Sequence, residues 1–197
     1  MRALVTGFDA FGSEETNASC EAVRRLPPHI EGIDIATAIL PTSYARSLPA
    51  LETAIARVRP QVVLCVGQAG DRTALSVERV AINVQDANLP DNDGAQPVDN
   101  PIATGGPPAC FSTLAIKEAV AALHAAGLPA EVSNSAGTFV CNHVFYGLMR
   151  IAAKKRHSFK AGFLHVPRLA NLGCDDIACG IQVVLRVSAT TQRRLTA

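Results

Sequence analysis

Short apolar stretches alternate along the chain with longer stretches in which apolar residues recur at helical spacing. Residues 61–66 (QVVLCV) form a continuous apolar run that ends at Gly67, which is typical of a strand buried on both faces. By contrast, Ile116, Val120 and Leu123 recur every three or four residues, as on one stripe of a helix. Strands that alternate with helices predict an α/β fold around a mainly parallel sheet.

The same pattern predicts the order of the elements. Predicted strands cover residues 3–6, 33–40, 61–66, 75–84, 131–134 and 162–166. Predicted helices cover residues 17–25, the stretch after Pro41-Thr42-Ser43, and residues 113–126, 138–155 and 175–188. The chain of 197 residues has the length of one domain and no convincing linker. We therefore expect a single domain over residues 1–197, folded as a three-layer α/β/α sandwich around a mainly parallel, twisted sheet.

One segment is too long for an ordinary connection between elements. Residues 86–108 (DANLPDNDGAQPVDNPIATGGPP) are polar and rich in proline and glycine. Loops of this length in compact domains usually have a function or are disordered. We interpret the segment as a candidate functional loop, with a plain surface excursion as the alternative.

Composition and charge argue against several classes of protein. The formal net charge is +1, and the densest basic run is Lys154-Lys155-Arg156, which we interpret as a solvated helix end. A nucleic-acid-binding protein would usually cluster more Lys and Arg, so no nucleic-acid partner is expected. No apolar stretch approaches the ~20 residues of a membrane span, and the chain begins with a strand pattern rather than a signal peptide. We therefore expect a cytoplasmic protein that has no membrane partner.

The cysteines include one candidate nucleophile. Six cysteines are spread along the chain without a CxxC pair, which favours free thiols in a reducing compartment. Cys65 lies inside an apolar run and is expected in the core. Cys141 follows a predicted strand-to-helix turn, residues 133–138, and falls near the start of the next helix. Backbone N–H groups and the helix dipole are expected there to lower the pKa of the thiol and to bind an oxyanion. From position alone, a catalytic role and a packing role both stay open.

A thiol nucleophile needs a base, and the chain has five histidines. His143 is nearest to Cys141 in sequence, but two residues along a helix point to nearly opposite sides. His165 lies at the carboxyl end of the strand predicted at 162–166, and the carboxyl edge of a parallel sheet is where α/β proteins place their sites. We therefore choose His165 as the base.

Glu78 is the candidate that would orient the imidazole. In the strand predicted at 75–84, Glu78 shares a face with apolar residues, and a carboxylate there is costly unless it is paired. Arg72 and His165 are both possible partners. The residues alone do not decide between them.

Several motifs follow one another along nearly the whole chain. In order they are residues 4–12 (LVTGFDAFG) with Asn17, 66–70 (VGQAG), 77–83 (VERVAIN), 89–92 (LPDN), 133–142 (SNSAGTFVCN) and 163–167 (FLHVP). Together they resemble the pyroglutamyl peptidase I (pyrrolidone-carboxylate peptidase) family of cysteine peptidases.

The resemblance implies an omega peptidase that hydrolyses the bond after an N-terminal pyroglutamyl (5-oxoproline) residue of peptides through a thioester acyl-enzyme. It implies a triad of Glu78, Cys141 and His165, no metal or organic cofactor, and a homo-oligomer, either a homotetramer or a dimer. The substrate-binding residues that it implies are Phe8, Phe11, Asn17, Gln68, Phe139 and Val140.

The chain departs from the family pattern at three positions. Asn88 stands where the family usually has arginine, Ser13 replaces a glycine, and Ala18 replaces a proline. The missing arginine implies weaker substrate binding or an altered preference. The early end of the chain, at Ala197, leaves the oligomeric state open.

Two other functions are considered. One is a catalytically weakened relative that binds 5-oxoproline-like ligands, which the departure at Asn88 makes conceivable. The other is a zinc protein that uses Cys141, His143 and His124. Ligands two residues apart on a helix converge poorly on one ion, so the zinc interpretation is disfavoured.

Overall fold

The computed structural model describes residues 1–154 and 158–190, and it shows helices on both faces of a central sheet. The strands are β1 (Arg2–Phe8), β2 (His29–Ile30), β3 (Ile33–Leu40), β4 (Val62–Gln68), β5 (Leu75–Glu78), β6 (Val80–Ile82), β7 (Ala109–Phe111), β8 (Ala130–Ser133) and β9 (Lys160–Val166). The helices are α1 (Ala18–Arg24), α2 (Ser47–Val58), α3 (Ile116–Ala125), α4 (Val140–Lys154) and α5 (Cys174–Thr190). The predicted α/β class is confirmed. Part of the basic run, residues 155–156, and the chain end at 191–197 lie outside the described residues.

The central sheet has seven strands in the order β2-β3-β1-β4-β9-β5-β8. Strands β3, β1, β4 and β9 run parallel to one another, as predicted. Strand β5 runs antiparallel to β9, while β8 runs parallel to β5, and the short edge strand β2 is antiparallel to β3. The sheet is therefore mainly parallel, with two reversals of direction, one at the edge strand β2 and one between β9 and β5.

Two apolar cores lie on opposite faces of this sheet. Because successive side chains of a strand point to opposite faces, the neighbours Leu4 and Val5 of β1 are both fully buried in different cores. Val5 packs in the core of α1, α3 and α5, whereas Leu4 packs in that of α2 and α4. The result is a three-layer α/β/α arrangement. Within the described residues, no helix is both long enough and apolar enough to cross a membrane.

The prediction of a single strand over residues 75–84 is wrong, because this stretch contains two strands, β5 and β6. Strand β5 ends at Glu78: the backbone N–H of Arg79 still donates to the carbonyl of Ser133 in β8, and the chain then leaves the central sheet. Residues 80–82 instead pair antiparallel with β7 in a second, two-stranded sheet. Asn142 of α4 fixes this sheet by bonding both the N–H and the carbonyl of Ile82, at 3.0 and 2.9 Å. Glu78 is thus the last residue of β5 and shares no strand with residues 80–84.

The long loop, residues 86–108, is held to the segment before α2 by its own acidic side chains. Asp91 is buried, and its Oδ1 accepts hydrogen bonds from the backbone N–H groups of Asp93 and Ala95, at 2.9 and 2.8 Å. Asp93 in turn binds the guanidinium of Arg46 through two hydrogen bonds, of 2.6 and 2.7 Å. Asn88 is exposed and has no hydrogen-bond partner among the described residues. The loop is therefore anchored at residues 91–95, not at Asn88.

Candidate active site

The Cys141 thiol lies over the carboxyl end of β4. Cys141 is the second residue of α4, and a Cβ atom placed on Gly67 would lie only 2.7 Å from its Sγ atom. Glycine at this position therefore lets the helix bring the thiol directly onto the sheet. Gly67 pairs with His165 on the neighbouring strand β9, and adjacent strands are ~4.8 Å apart. The thiol, which α4 holds over Gly67, and the imidazole of His165 are thus adjacent on one face of the sheet.

The reversal between β9 and β5 places Glu78 on this same face. Ser76 lies opposite His165 in the antiparallel pair, so Glu78 is diagonally displaced by two residues. The distance from His165 Nδ1 to Glu78 Oε1 is 2.7 Å, and both side chains are buried. Because a carboxylate only accepts hydrogen bonds, Nδ1 carries the hydrogen. The Nε2 atom is left as the nitrogen that can exchange a proton.

Glu78 bonds both of the partners that the sequence left open. Its Oε1 atom also accepts a hydrogen bond of 2.7 Å from Arg72 Nη1, while Arg72 Nη2 donates to the carbonyl of Ser135. Arg72 therefore supplies the positive charge that a fully buried carboxylate needs, and it ties Glu78 to the turn that precedes α4. The Oε2 atom of Glu78 has no hydrogen-bond partner among the described residues.

The pKa of the Cys141 thiol shifts in the direction opposite to the expected one. Burial raises it to about 12, and the nearby Glu78 carboxylate adds to the shift, which Arg72 partly offsets. Although the residue as a whole is only half-buried, removal of water from the thiol is the largest cause of this shift. Burial also lowers the pKa of His165, although its bond to Glu78 opposes this effect. Both shifts favour the neutral forms, a protonated thiol beside an uncharged imidazole.

Cys141 and His165 both line a cavity of about 110 Å³. Pockets for drug-sized ligands measure roughly 300–1,000 Å³, so this cavity suits a single small ring. The resemblance implied six substrate-binding residues, and all six line the cavity. Thr42 and Ala136 also line it and were not foreseen, because neither residue type carries a chemical signal in the sequence. The complete lining is Phe8, Phe11, Asn17, Thr42, Gln68, Ala136, Phe139, Val140, Cys141 and His165.

Two of the lining residues present amides that the fold holds in place. Asn17 caps α1, with its Oδ1 accepting from the backbone N–H of Ser19 and its Nδ2 donating to the carbonyl of Asp9. Gln68 Oε1 accepts a hydrogen bond of 2.7 Å from the backbone N–H of Ala18. The Nε2 group of Gln68 has no partner among the described residues. It therefore remains available to donate to a ligand carbonyl.

His143 and His124 lie outside this cavity. The His143 ring packs edge-on against Tyr44, with ring centroids 5.4 Å apart, and neither of its nitrogens has a hydrogen-bond partner among the described residues. Burial lowers the pKa of His143 to about 4, which a weaker interaction with the Tyr44 backbone opposes. His124 Nε2 lies 2.7 Å from the carbonyl of Ala130. No group of three or more side chains within residues 1–154 and 158–190 is arranged to hold a metal ion.

Comparison with known proteins gives one consistent result. The sequence model of the pyroglutamyl peptidase family matches residues 1–192. A pyrrolidone-carboxylate peptidase from Streptococcus pyogenes is 48% identical over 195 residues, which cover 94% of this chain and 91% of the relative. The crystal structure of pyroglutamyl peptidase I from Bacillus amyloliquefaciens superposes with a TM-score of 0.93 at 40% identity, covering 96% of this chain and 97% of that one. The structure of a mutant pyrrolidone carboxyl peptidase from Pyrococcus furiosus also superposes with a TM-score of 0.93, at 33% identity, covering 96% of this chain and 98% of that one. The chain belongs to the pyroglutamyl peptidase family of cysteine peptidases.

Proposed function

We propose that this protein hydrolyses the bond after an N-terminal 5-oxoproline residue of peptides, with Cys141, His165 and Glu78 as its catalytic triad. The observation that carries the proposal is the small cavity into which the thiol and the imidazole both open, with Glu78 bonded to the far side of the imidazole. Family membership supports the same activity.

The cavity suits a flat, uncharged ring. Phe11 and Phe139 contact each other with ring centroids 5.9 Å apart, and together with Phe8 they offer apolar walls. The amide of Gln68 can donate to the lactam carbonyl. None of the lining residues is acidic, so the ammonium group of an ordinary peptide would lose its water without gaining a counter-charge. The cavity therefore selects a blocked N-terminus.

Acylation begins from the neutral pair. As Sγ of Cys141 bonds to the pyroglutamyl carbonyl carbon, its proton passes to Nε2 of His165, and the backbone N–H groups that begin α4 stabilise the oxyanion. Glu78 accepts the Nδ1 hydrogen throughout, which fixes the tautomer and stabilises the imidazolium. Nε2 then protonates the leaving amine, the C–N bond breaks, and a thioester remains.

Deacylation uses the same groups in reverse. A water molecule gives a proton to Nε2 of His165 as its oxygen attacks the thioester carbonyl. The C–S bond breaks, and the Cys141 sulfur recovers its proton from the imidazolium. Free 5-oxoproline leaves the cavity, and the resting state is restored.

Hydrolysis of a fluorogenic pyroglutamyl amide tests the proposal, with the matching prolyl amide as the control substrate. The protein should hydrolyse only the former. Cys141→Ser should lose turnover by several orders of magnitude, and retention of more than ~1% would contradict the assignment. His165→Ala should lose roughly 10²–10⁴-fold. If the native protein binds 5-oxoproline in calorimetry but hydrolyses neither amide, it is the catalytically weakened relative.

We further propose that the protein works as a homo-oligomer, either a tetramer or a dimer, in the cytoplasm. Phe111 and Val98 support an oligomer, because they are 65% and 71% exposed and leave apolar surface in water in a single copy. The six free thiols suit a reducing compartment. Light scattering after size exclusion would give the mass in solution, and a monomer would contradict the first proposal.

A further inference from the structure

Tyr44 lies behind the cavity wall and is not among the residues that line it. Its side chain is buried, and its ring meets that of Phe139 edge-on, with centroids 5.8 Å apart and an interplanar angle of 85°. Its other edge contact is with His143, at 5.4 Å and 86°. Phe139 also contacts Phe11, and both rings line the cavity. Tyr44 is therefore the support of an aromatic wall that would hold the substrate ring.

The backbone of Tyr44 is fixed by the long loop. Its N–H donates a hydrogen bond of 2.8 Å to Asp91 Oδ2, the oxygen that the loop's own N–H groups do not use. Asp91 is buried, so this bond is sheltered from water. The position of the tyrosine ring thus depends on the conformation of the loop around Asp91.

The same loop also holds the turn that leads to the nucleophile. Thr138 Oγ1 donates to the carbonyl of Asp86 at 2.7 Å, and the Asp86 N–H donates to the Thr138 carbonyl at 3.1 Å. The hydroxyl of Tyr44 is a longer donor to that carbonyl, at 3.5 Å. Tyr44 therefore touches the loop, the turn and the wall.

We propose that Tyr44 is a positioning residue for substrate binding, and that it couples the position of residues 86–95 to the Phe139 wall. The inference rests on the proposed hydrolysis of pyroglutamyl peptides. Tyr44 contacts no reacting atom, so it acts on the ring-binding wall equally before and during the reaction. Its removal should raise KM and leave kcat nearly unchanged, which is the mark of lost uniform binding.

Two substitutions separate the ring of Tyr44 from its hydroxyl. Tyr44→Leu removes both edge contacts, so KM for a pyroglutamyl amide should rise roughly tenfold, with kcat within about threefold of native. Tyr44→Phe keeps the ring and loses only the long hydroxyl bond. Its KM should stay within about twofold of native.

A double-mutant cycle tests whether Tyr44 connects the loop to substrate binding. In the native protein the Asp91 carboxylate accepts hydrogen bonds from three backbone N–H groups. Asp91→Asn should raise KM, because the NH₂ group of asparagine cannot accept a hydrogen bond and must face at least one of these donors. If Tyr44 transmits this effect, the double variant with Tyr44→Leu should have a KM close to that of the worse single variant. If the two increases in KM instead multiply in the double variant, the loop acts independently of Tyr44, and that part of the inference is overturned.

Tyr146→Leu is the matched control for a structural effect. Tyr146 is a fully buried tyrosine on α4 that donates to the carbonyl of Pro107, and it does not line the cavity. It should lower the melting temperature at least as much as Tyr44→Leu and leave KM within about twofold, and any kinetic loss should fall on kcat, because α4 carries Cys141. Equal effects of Tyr44→Leu and Tyr146→Leu on KM would overturn the inference.

Binding of 5-oxoproline separates this inference from the proposed function. Calorimetry on Cys141→Ser measures binding without turnover, and adding Tyr44→Leu should weaken binding roughly tenfold. If Cys141→Ser binds and the added substitution changes nothing, the inference fails while the proposed function stands. If Cys141→Ser does not bind and the native protein has no activity, the proposed function itself fails. Where Tyr44→Leu does not fold, Tyr44→Met serves in the same measurement.

Discussion

Gly67 and Cys141 show how one residue without a side chain can set the position of a nucleophile. The thiol occupies the space that a Cβ on Gly67 would need, with only 2.7 Å between them, and Phe163 closes the same space from the side, at 2.9 Å. No side chain of any other residue type would leave the thiol on the sheet beside His165. The glycine therefore belongs to the geometry of the site, although it offers no functional group.

Gly67→Ala should consequently displace the thiol and lower kcat/KM by roughly 10²-fold, the effect expected for a misplacement of about 1 Å. Gly173→Ala is the control, because its Cβ would meet nothing nearer than 3.4 Å. Both variants should have native circular dichroism. Native activity in Gly67→Ala would show that the helix can move without harm to catalysis.

His143 gives a prediction about stability and pH. Its pKa is lowered from 6.5 to about 4 in the folded protein, so between these values only the unfolded chain takes up the proton. Stability should therefore fall as pH falls from 6.5 to 4, and the contribution of this residue is about 3 kcal/mol. Buried His165, whose pKa is also lowered, adds a loss of the same sign.

The check on His143 is denaturant unfolding at both ends of this pH range. His143→Phe keeps an aromatic ring against Tyr44 but cannot take up a proton. Its loss of unfolding free energy between pH 6.5 and 4 should be smaller than that of the native protein. Equal losses would show that water or a partner reaches the imidazole.

The sequence located the individual site residues better than it described their chemistry. Cys141 and His165 were chosen from their places at the start of a helix and the end of a strand, and both line the cavity. The direction of the thiol pKa shift was wrong, because it depends on how much of the surroundings excludes water. That quantity results from packing, which a linear pattern does not contain.

At the scale of elements, the main error was the strand predicted at 75–84. The apolar alternation changes phase at Glu78 and Arg79, two polar residues in succession, and this is the sign of the break that the prediction of a single strand overlooks. The antiparallel direction of β5, by contrast, leaves no sign in the sequence, because alternation is the same in both directions. Yet this direction, together with the register of Ser76 against His165, is what places Glu78 beside the imidazole.

The prediction at the scale of elements concerns Asn88 in the long loop. Asn88 is exposed, and the loop is already held by Asp91 and by the pair of Arg46 and Asp93. A cation at position 88 can therefore add only a partly exposed ion pair, worth ~0.2–1 kcal/mol. Asn88→Arg should lower KM for a pyroglutamyl amide a few-fold at most and leave kcat within about twofold. Steady-state kinetics at one ionic strength would measure both, and a large fall in kcat would instead make Asn88 part of the catalytic geometry.

At the scale of the molecule, the sheet separates two cores, and the candidate site lies with only one of them. Leu123 of α3 and Leu148 of α4 are both fully buried, but on opposite faces. Either Leu→Ala change should cost roughly 2–5 kcal/mol of unfolding free energy. Leu148→Ala should also lower kcat/KM, because α4 carries Cys141, whereas Leu123→Ala should not. Paired unfolding and kinetic measurements would test this, and equal kinetic effects would mean that the sheet transmits packing defects between its faces.

The neutral resting state of Cys141 has a consequence for the chemical lifetime of the protein. Peroxides and simple alkylating agents react with thiolates much faster than with thiols, and oxidation beyond the sulfenic acid is mostly irreversible. Because burial favours the protonated form of the Cys141 thiol, the thiol should react slowly with such agents while the cavity is empty. Selective inhibitors of this protein should therefore owe their potency to a ring that fills the cavity, and not to the intrinsic reactivity of the group they carry.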